Sequence, residues 1–271
     1  AVGTAVNVFG DVPYSEASND NIPAPKYDSQ TDVYRALQSL LDEAISDLQV
    51  AATGGGISED IYFGGDSNKW IKAAYTLKAR LYLDVRDYAS ALSAAQSGIS
   101  SESESMKYYP PAVVNTGDTN LLNQFFTGSF VGDLRTEGSF LIDLIGTGAI
   151  SRNNIKTDEV DRAAYYYDGV NLNLSGIAAN NEPMNQISYQ ENLLTWAESS
   201  LRANANNFNV SLGKLNEHRA NLRNGVYFSS NSGVYDNYVE ADFLANGLEN
   251  VDGSLSKEDA LLREIIEERH V

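Results

Sequence analysis

Cysteine is absent from this chain. That excludes disulfides, cysteine-based zinc sites and thiol catalysis. Histidine is nearly as scarce, with two in 271 residues, His218 and His270. Neither has a second histidine or a carboxylate at zinc-ligand spacing in a recognisable motif. His218 therefore reads as a packing or surface residue, and no metal or cofactor is expected. Basic residues are in deficit, 19 against 37 acidic ones, for a net charge of −18. Such a chain is repelled by phosphate backbones and by anionic membrane surfaces, so nucleic acid is not an expected partner. No apolar run approaches the ~20 residues of a membrane-spanning helix. The greasiest stretch, Phe140 to Ile150, is interrupted by Asp143 and two glycines.

Catalytic signatures are missing too. There is no Gly-x-Ser-x-Gly nucleophile elbow and no calcium loop. Gly64-Gly65-Asp66-Ser67-Asn68-Lys69 lacks phosphate-loop spacing, and Trp70 follows its lysine. Paired carboxylates would suit a glycosidase, but an accidental pair is close to guaranteed among 37 acids. Asp158, Glu159 and Asp161 read as a solvated loop cluster. A loose oxygen-ligand arrangement around Asp168, Asn171 and Asn173 stays open.

What the chain does have is helical periodicity. Residues 1–28, with Pro13, Pro23 and Pro25, read as loop. Val33, Leu37, Leu40, Leu41, Ala44, Ile45 and Leu48 form one apolar stripe, so a helix is expected over 30–50, ended by Gly54-Gly55-Gly56. Ser67 is the expected N-cap of the next helix, which carries Trp70, Ala74, Leu77, Leu81 and Val85 at spacings of three and four. With a turn at Asp87-Tyr88, the stretch from Trp70 to Ile99 becomes a tetratricopeptide-like helix pair. Tyr75, Ala79 and Tyr82 then fall on the inner face of its first helix, and Ala91, Ala95 and Ile99 on that of its second. Small residues at Ala79 and Ala91 allow close helix approach. Residues 188–223 repeat the scheme, with Ser199, Phe208 and Ser211 standing for Ala79, Tyr88 and Ala91. A last helix after Ser256 turns Leu261, Leu262, Ile265 and Ile266 inward.

Between the pairs, residues 101–187 are dense in Ser, Gly, Asn and Asp, with Pro110-Pro111 stiffening one loop. Only Asn120 to Phe126 and Ser139 to Ile145 read as helix there. A long irregular stretch in a compact domain is functional or disordered, and its aromatic residues, Phe130 among them, argue for order. The expected architecture is mostly α: a first scaffold part over 30–100 with its pair at 70–99, a variable loop-rich lobe at 101–187, and a second pair with loop and terminal helix at 188–271. Tyrosine is abundant, 16 residues beside nine Phe and two Trp. A phenol ring offers a flat face to the C–H side of a sugar and a hydroxyl to its substituents. Tyr108, Tyr109, Tyr165, Tyr166, Tyr167 and Tyr235 are the candidate ligand contacts, with Tyr227 and Tyr238 in the same later loop.

Several stretches carry a family resemblance. Asp11-Val-Pro-Tyr-Ser-Glu-Ala17 resembles an early "D-x-P-Y-x-E-A" loop. Asp60 to Asp66, Lys69-Trp70 and Leu77-Lys-Ala-Arg-Leu-Tyr-Leu83 resemble a "D-x-x-Y-x-G-D … KW … N-T-L-K-A-R" block. Ile187 to Leu194 with Ala197-Glu198 resembles "Y-x-E-x-L-L-x-x-A-E-A". Leu215-Asn216 with Arg219 resembles "L-N-x-x-R", and Ile265 to Arg269 "I-x-x-E-R". In this order they resemble the SusD/RagB family of outer-membrane nutrient-binding lipoproteins of Bacteroidetes. Asp161-Arg162 departs from the family's Asp-Pro-Arg, and Tyr75 stands where Asn is expected. The opening residues, and an end at Glu268 to Val271 inside a helical pattern, read as a piece of a longer protein lacking its lipidated cysteine. The resemblance implies a SusD-like fold in a surface-exposed lipoprotein held to the outer membrane only by its lipid. It also implies non-catalytic capture of an oligosaccharide or a peptide, handed to a TonB-dependent, SusC-like transporter. The motif residues occupy helix-packing positions, so no binding residue carries over. A helical adaptor that grips only a protein partner, and a helical glycosidase, are the competing readings.

Overall fold

The computed structural model describes residues 2–51, 57, 59–111, 119–128, 132, 136, 138–146, 148, 150–204, 207–228 and 233–271. Gly54-Gly55-Gly56 and Phe130 lie outside them. Ten helices and one two-stranded sheet are present among the described residues. No described helix is long and apolar enough to cross a membrane.

The opening differs from the loop expected over 1–28, because Val2–Phe9 is a helix, α1. Eight residues rich in valine have little helical propensity of their own, so packing must supply the stability. Val6 is fully buried against Val33, Tyr34 and Leu81. The following loop is pinned by Asp28, whose carboxylate accepts from the backbone N–H groups of Tyr14 (3.1 Å) and Ser15 (2.7 Å) and from the Ser15 hydroxyl (2.8 Å). Helix α2 (Gln30–Ala51) follows. Helix α3 (Ser67–Asp84) is capped by Asp66 rather than Ser67; its carboxylate takes the N–H groups of Asn68 and Lys69. Just upstream, the Asp60 carboxylate collects N–H groups from Tyr62, Phe63 and Gly65 and the indole N–H of Trp70 (2.7 Å). Arg86, at φ 63°, makes the left-handed turn into α4 (Tyr88–Ala95), where Asp87 is the N-cap.

Helix α8 (Tyr189–Ala203) is common to both layers. It contacts α3 and α4 and also α9 (Phe208–Arg223) and α10 (Lys257–His270). Small residues allow the close approaches: Ala79, Ala91, Ala95, Ala197, Ser199 and Ser211 are all fully buried. The Ser211 hydroxyl donates to the Ala197 carbonyl at 2.7 Å, joining α9 to α8. Tyr75 and Tyr82, expected to face inward, are half-buried, and Val85 is an exposed C-cap. On α10, Leu261 and Ile265 enter the main core, while Ile266 lies outward and Leu262 at its edge, because α10 presents one face rather than two to α8 and α9.

The intervening lobe leaves and rejoins the scaffold through paired strands, β1 (Met106–Tyr108) antiparallel to β2 (Met184–Ile187). The Tyr189 N–H donates to the Ser105 hydroxyl at 2.9 Å and anchors the same junction. Between them lie α5 (Leu121–Thr127), α6 (Phe140–Ile145) and an unexpected α7 (Val160–Tyr166).

Where α4 ends, Gly98 lies against α3 and α8. The Asn192 amide donates to the carbonyls of Ala95 and Ile99, both at 2.9 Å, and the Ile99 N–H donates to the Thr76 hydroxyl at 2.9 Å. A Cβ on Gly98 would lie 2.5 Å from Asn192 Oδ1 and 2.6 Å from Thr76 Oγ1. Gly98→Ala should therefore cost about 1–3 kcal/mol through overpacking. Gly213→Ala, in α9 with open space around it, should gain up to about 1 kcal/mol of helix propensity. Urea denaturation of both variants checks this; a Gly98→Ala protein as stable as wild type would show that the approach is not tight.

Candidate ligand-binding cleft

The lobe is fastened to the scaffold by buried charge. Arg152 and Arg162 come from the lobe, Arg219 from α9, Glu264 and Glu268 from α10, and Glu159 from the residue before α7. Arg162 meets Glu159 through Nε at 2.7 Å and Nη2 at 2.5 Å, and Glu268 through Nη1 at 2.8 Å. Arg152 meets Glu264 at 2.6 Å, Glu159 at 3.4 Å, and Glu268. Arg219 donates to the carbonyls of Lys156 (2.7 Å) and Asp236 (2.9 Å) and to the Thr157 hydroxyl (2.9 Å), and its guanidinium lies 3.9 Å from the Tyr238 ring centroid. Glu159, expected to solvate a loop, is fully buried instead. Its oxygens are taken by Arg162, three residues on, by Arg152, seven residues back, and by the remote Tyr235 hydroxyl. Asp168, Asn171 and Asn173 form turns: Asp168 accepts from the N–H groups of Val170 and Asn171. Among the described residues no group of three His, Cys, Asp or Glu could hold a metal.

His218 completes this floor. Its Nε2–H donates to Glu268 at 2.8 Å, which leaves Nδ1 to accept from the Tyr227 hydroxyl at 3.3 Å. Burial lowers the His218 pKa against the pull of Glu268, so the ring is neutral. The Tyr227 ring stacks on His218 (5.3 Å between centroids, 29°), and the next residue, Phe228, stacks on Tyr165 of α7 (5.4 Å, 12°). The Val226–Phe228 turn thus bridges scaffold and lobe with two consecutive rings.

Above this floor opens a cleft of about 670 Å³. Its aromatic wall is Tyr165, Tyr166, Tyr227 and Phe228. Its polar rim includes Asn7, Arg80, Asp84, Gln190, Glu191 and Arg269. Of the six tyrosines expected as ligand contacts, the cleft brings together Tyr165 and Tyr166. The Tyr165 hydroxyl donates to Glu182 (2.8 Å) and that of Tyr166 to the Val271 carbonyl (2.8 Å). Tyr108 is half-buried in β1, Tyr109 is 64% exposed, and neither lines the cleft. Tyr167 turns its hydroxyl to the Gly169 carbonyl. Tyr235 has to be moved from the cleft to the core. It is 1% exposed, donates to Glu159 at 2.9 Å and lies under the Arg162 guanidinium, because the buried glutamate needs a donor there. Tyr238 is buried likewise. Phe228, which no motif marks, joins Tyr165 and Tyr166 in the cleft wall; its one local signal is an aromatic pair just after the helix-ending Gly225, at φ 65°.

The motif residues join one another across the cleft's edges. Arg80 and Glu191 form a two-pronged pair, with Nη2 2.6 Å from Oε2. Glu198 pairs with Arg269. Asn216 exchanges two hydrogen bonds with the Tyr238 backbone, at 2.8 and 2.9 Å. Residues 2–125 match the family model SusD-like_2, described as "Starch-binding associating with outer membrane". Over this part the chain resembles the SusD-like family. Solved structures share the fold of this SusD-like chain. A SusD homolog from Bacteroides uniformis is 16% identical with a TM-score of 0.60, matched over 99% of this chain and 62% of its own. One from Bacteroides vulgatus is 16% identical, with a TM-score of 0.56 over 97% and 64%. A SusD/RagB family protein from Bacteroides thetaiotaomicron is 20% identical, with a TM-score of 0.50 over 81% and 50%. The SusD-like chain thus spans between half and two thirds of the length of these structures. No curated protein sequence matches it significantly.

The buried charges set a pH dependence. Arg152, Arg162 and Arg219 pair with Glu159, Glu264 and Glu268, and the half-buried Glu249 lies beside them on Asn154 and Tyr238. Burial, aided by Glu249 and Glu268 and opposed by Arg152 and Arg219, pushes Glu264 up to about 8. Burial raises Glu268 as well, but Arg152, Arg162 and the His218 hydrogen bond outweigh it and hold this carboxyl well below the usual range. Between pH 6.5 and 8 the unfolded chain's His218 sheds about the last half of its proton, which offsets part of the change at the lower end, and Glu264 sets the net slope. The folded state keeps a proton there that the unfolded chain has lost. Stability should therefore fall as pH rises from 6.5 to 8, by up to about 1.4 kcal/mol per unit. Urea midpoints across that range test this; Glu264→Gln, which mimics the protonated acid, should flatten the slope. A steep slope surviving in that variant would assign the proton elsewhere.

Proposed function

We propose that this SusD-like chain captures an oligosaccharide in the cleft without cleaving it, as part of a surface-exposed lipoprotein of the outer membrane that delivers its cargo to a TonB-dependent, SusC-like transporter. The carrying observation is the cleft itself. Tyr165, Tyr166, Tyr227 and Phe228 line about 670 Å³, together with polar groups such as Asn7, Arg80, Gln190 and Glu191 and a few aliphatic side chains, Leu122 and Ile177 among them. That combination suits a ring with an apolar face and a hydroxylated edge. The family description over residues 2–125, starch binding with outer-membrane association, agrees with it. The acids facing the cleft also favour binding over hydrolysis. Glu191 and Glu268 are each taken up by arginines and Glu102 by Lys107, which leaves Asp84 as the one lining acid among the described residues held by an amide and not by a cation, whereas a glycosidase needs a pair, one protonated and one free.

A second reading, docking of a protein partner, has one observation in its favour. A groove of about 540 Å³ beside α10 is lined by Phe140, Leu262 and Ile266. The two readings separate on small-ligand binding. Calorimetry against a glycan panel should give a Kd of about 10⁻⁶ to 10⁻³ M, with the sugar recovered intact. Tyr165→Ala should weaken binding at least roughly tenfold, about 1.4 kcal/mol, with the circular dichroism spectrum unchanged. Phe228→Ala should do the same from the other side of the stack. A folded protein that binds no glycan but retains a transporter would favour the docking reading.

A further inference from the structure

Three cationic side chains line the cleft, Arg80, Arg162 and Arg269, and no lysine joins them among the described residues. Each guanidinium is already neutralised from within. Arg80 holds Glu191 with two prongs and also donates to the Gln186 carbonyl at 3.1 Å. Arg162 is divided between Glu159 and Glu268 and is buried. Arg269 lies on Glu198, a carboxylate with 6% of its side chain exposed. The acids of the cleft are engaged in turn. Glu102 pairs with Lys107 and accepts from the Ser105 hydroxyl, and Asp84 accepts the Asn7 amide at 2.9 Å.

Resting on the capture reading above, we propose that the cleft selects uncharged oligosaccharides and rejects acidic ones. An anionic sugar would find no free cation. To gain one it would have to displace an internal carboxylate and leave that group poorly solvated. It would also approach a chain of net charge −18, which repels it at long range. A neutral sugar meets neither obstacle. A hydroxyl donates and accepts, so a paired guanidinium and carboxylate can each take one hydrogen bond from the same residue of the glycan without separating. The Arg80–Glu191 pair, at the rim, is the element that does this most directly.

The test is calorimetry with neutral malto-, cello-, xylo- and manno-oligosaccharides, and with oligogalacturonate and heparin fragments of similar length, at 20 and 300 mM NaCl. At least one neutral series should bind, with a Kd that salt changes by less than about twofold, because no ion pair is formed with the ligand. The acidic ligands should bind at least about tenfold more weakly. Glu191→Gln frees Arg80 and should narrow that gap to about threefold; Glu198→Gln frees Arg269 and serves as the second variant should the first fail to fold. Acidic ligands that bind wild-type protein as tightly as neutral ones, with affinity lost at high salt, overturn the proposal. So does a gap that neither folded variant narrows. Absence of binding by every ligand of both classes is a different result, since it removes the capture reading on which the selection rests.

Discussion

The lobe and the scaffold meet where three arginines and their glutamates are taken out of water together. Arg162 reaches from α7 to Glu268 of α10, and Arg152 reaches from the preceding loop to Glu264 and Glu268. Removing one partner from such a cluster leaves a charge without solvent or counter-ion, at a cost of about 3–5 kcal/mol. The cluster therefore specifies one placement of the lobe. A loop-rich segment with short helices and a two-stranded sheet has little regular structure to orient it. The charges do that, with Tyr235 donating to Glu159 and Thr157 linking Arg219 to Tyr238.

The cleft follows from this placement. His218 and Glu268 form its floor because they belong to the fastening, and Tyr227 and Phe228 form its wall because they stack on one partner from each side. The rim is built from residues whose first task is to join helices, Arg80 to Glu191 and Glu198 to Arg269. The lining of the cleft and the joints of the fold are the same residues seen from two sides. This explains why motifs at helix-packing positions mark the family while saying little about cargo.

Much of the scaffold was legible in the residues. The stripe from Val33 to Leu48, apart from the exposed Leu40, and the small residues at Ala79, Ala91, Ser199 and Ser211 follow the period of packed helices. The opening helix was not legible. Its valines do not favour helix, and Val6 is stabilised by Val33, Tyr34 and Leu81, which are remote in sequence. Ile266 was misplaced because Leu261, Leu262, Ile265 and Ile266 form two adjacent stripes, and only the neighbours of α10 choose between them. In the site, Tyr165 and Tyr166 could be named and Tyr235 could not be told from them. A tyrosine's composition is the same whether its hydroxyl meets water or a buried glutamate.

Period, composition and motif order determined a mostly helical chain with close-packed pairs and a SusD-like architecture, because these properties are repeated locally and every turn of helix restates them. Tertiary structure alone decided which aromatic rings border open space, which acids are sealed against arginines, and that every cleft guanidinium already has a partner. Those outcomes depend on single contacts between residues as far apart as Arg80 and Glu191 or Arg162 and Glu268, and no local pattern encodes a contact that is made once.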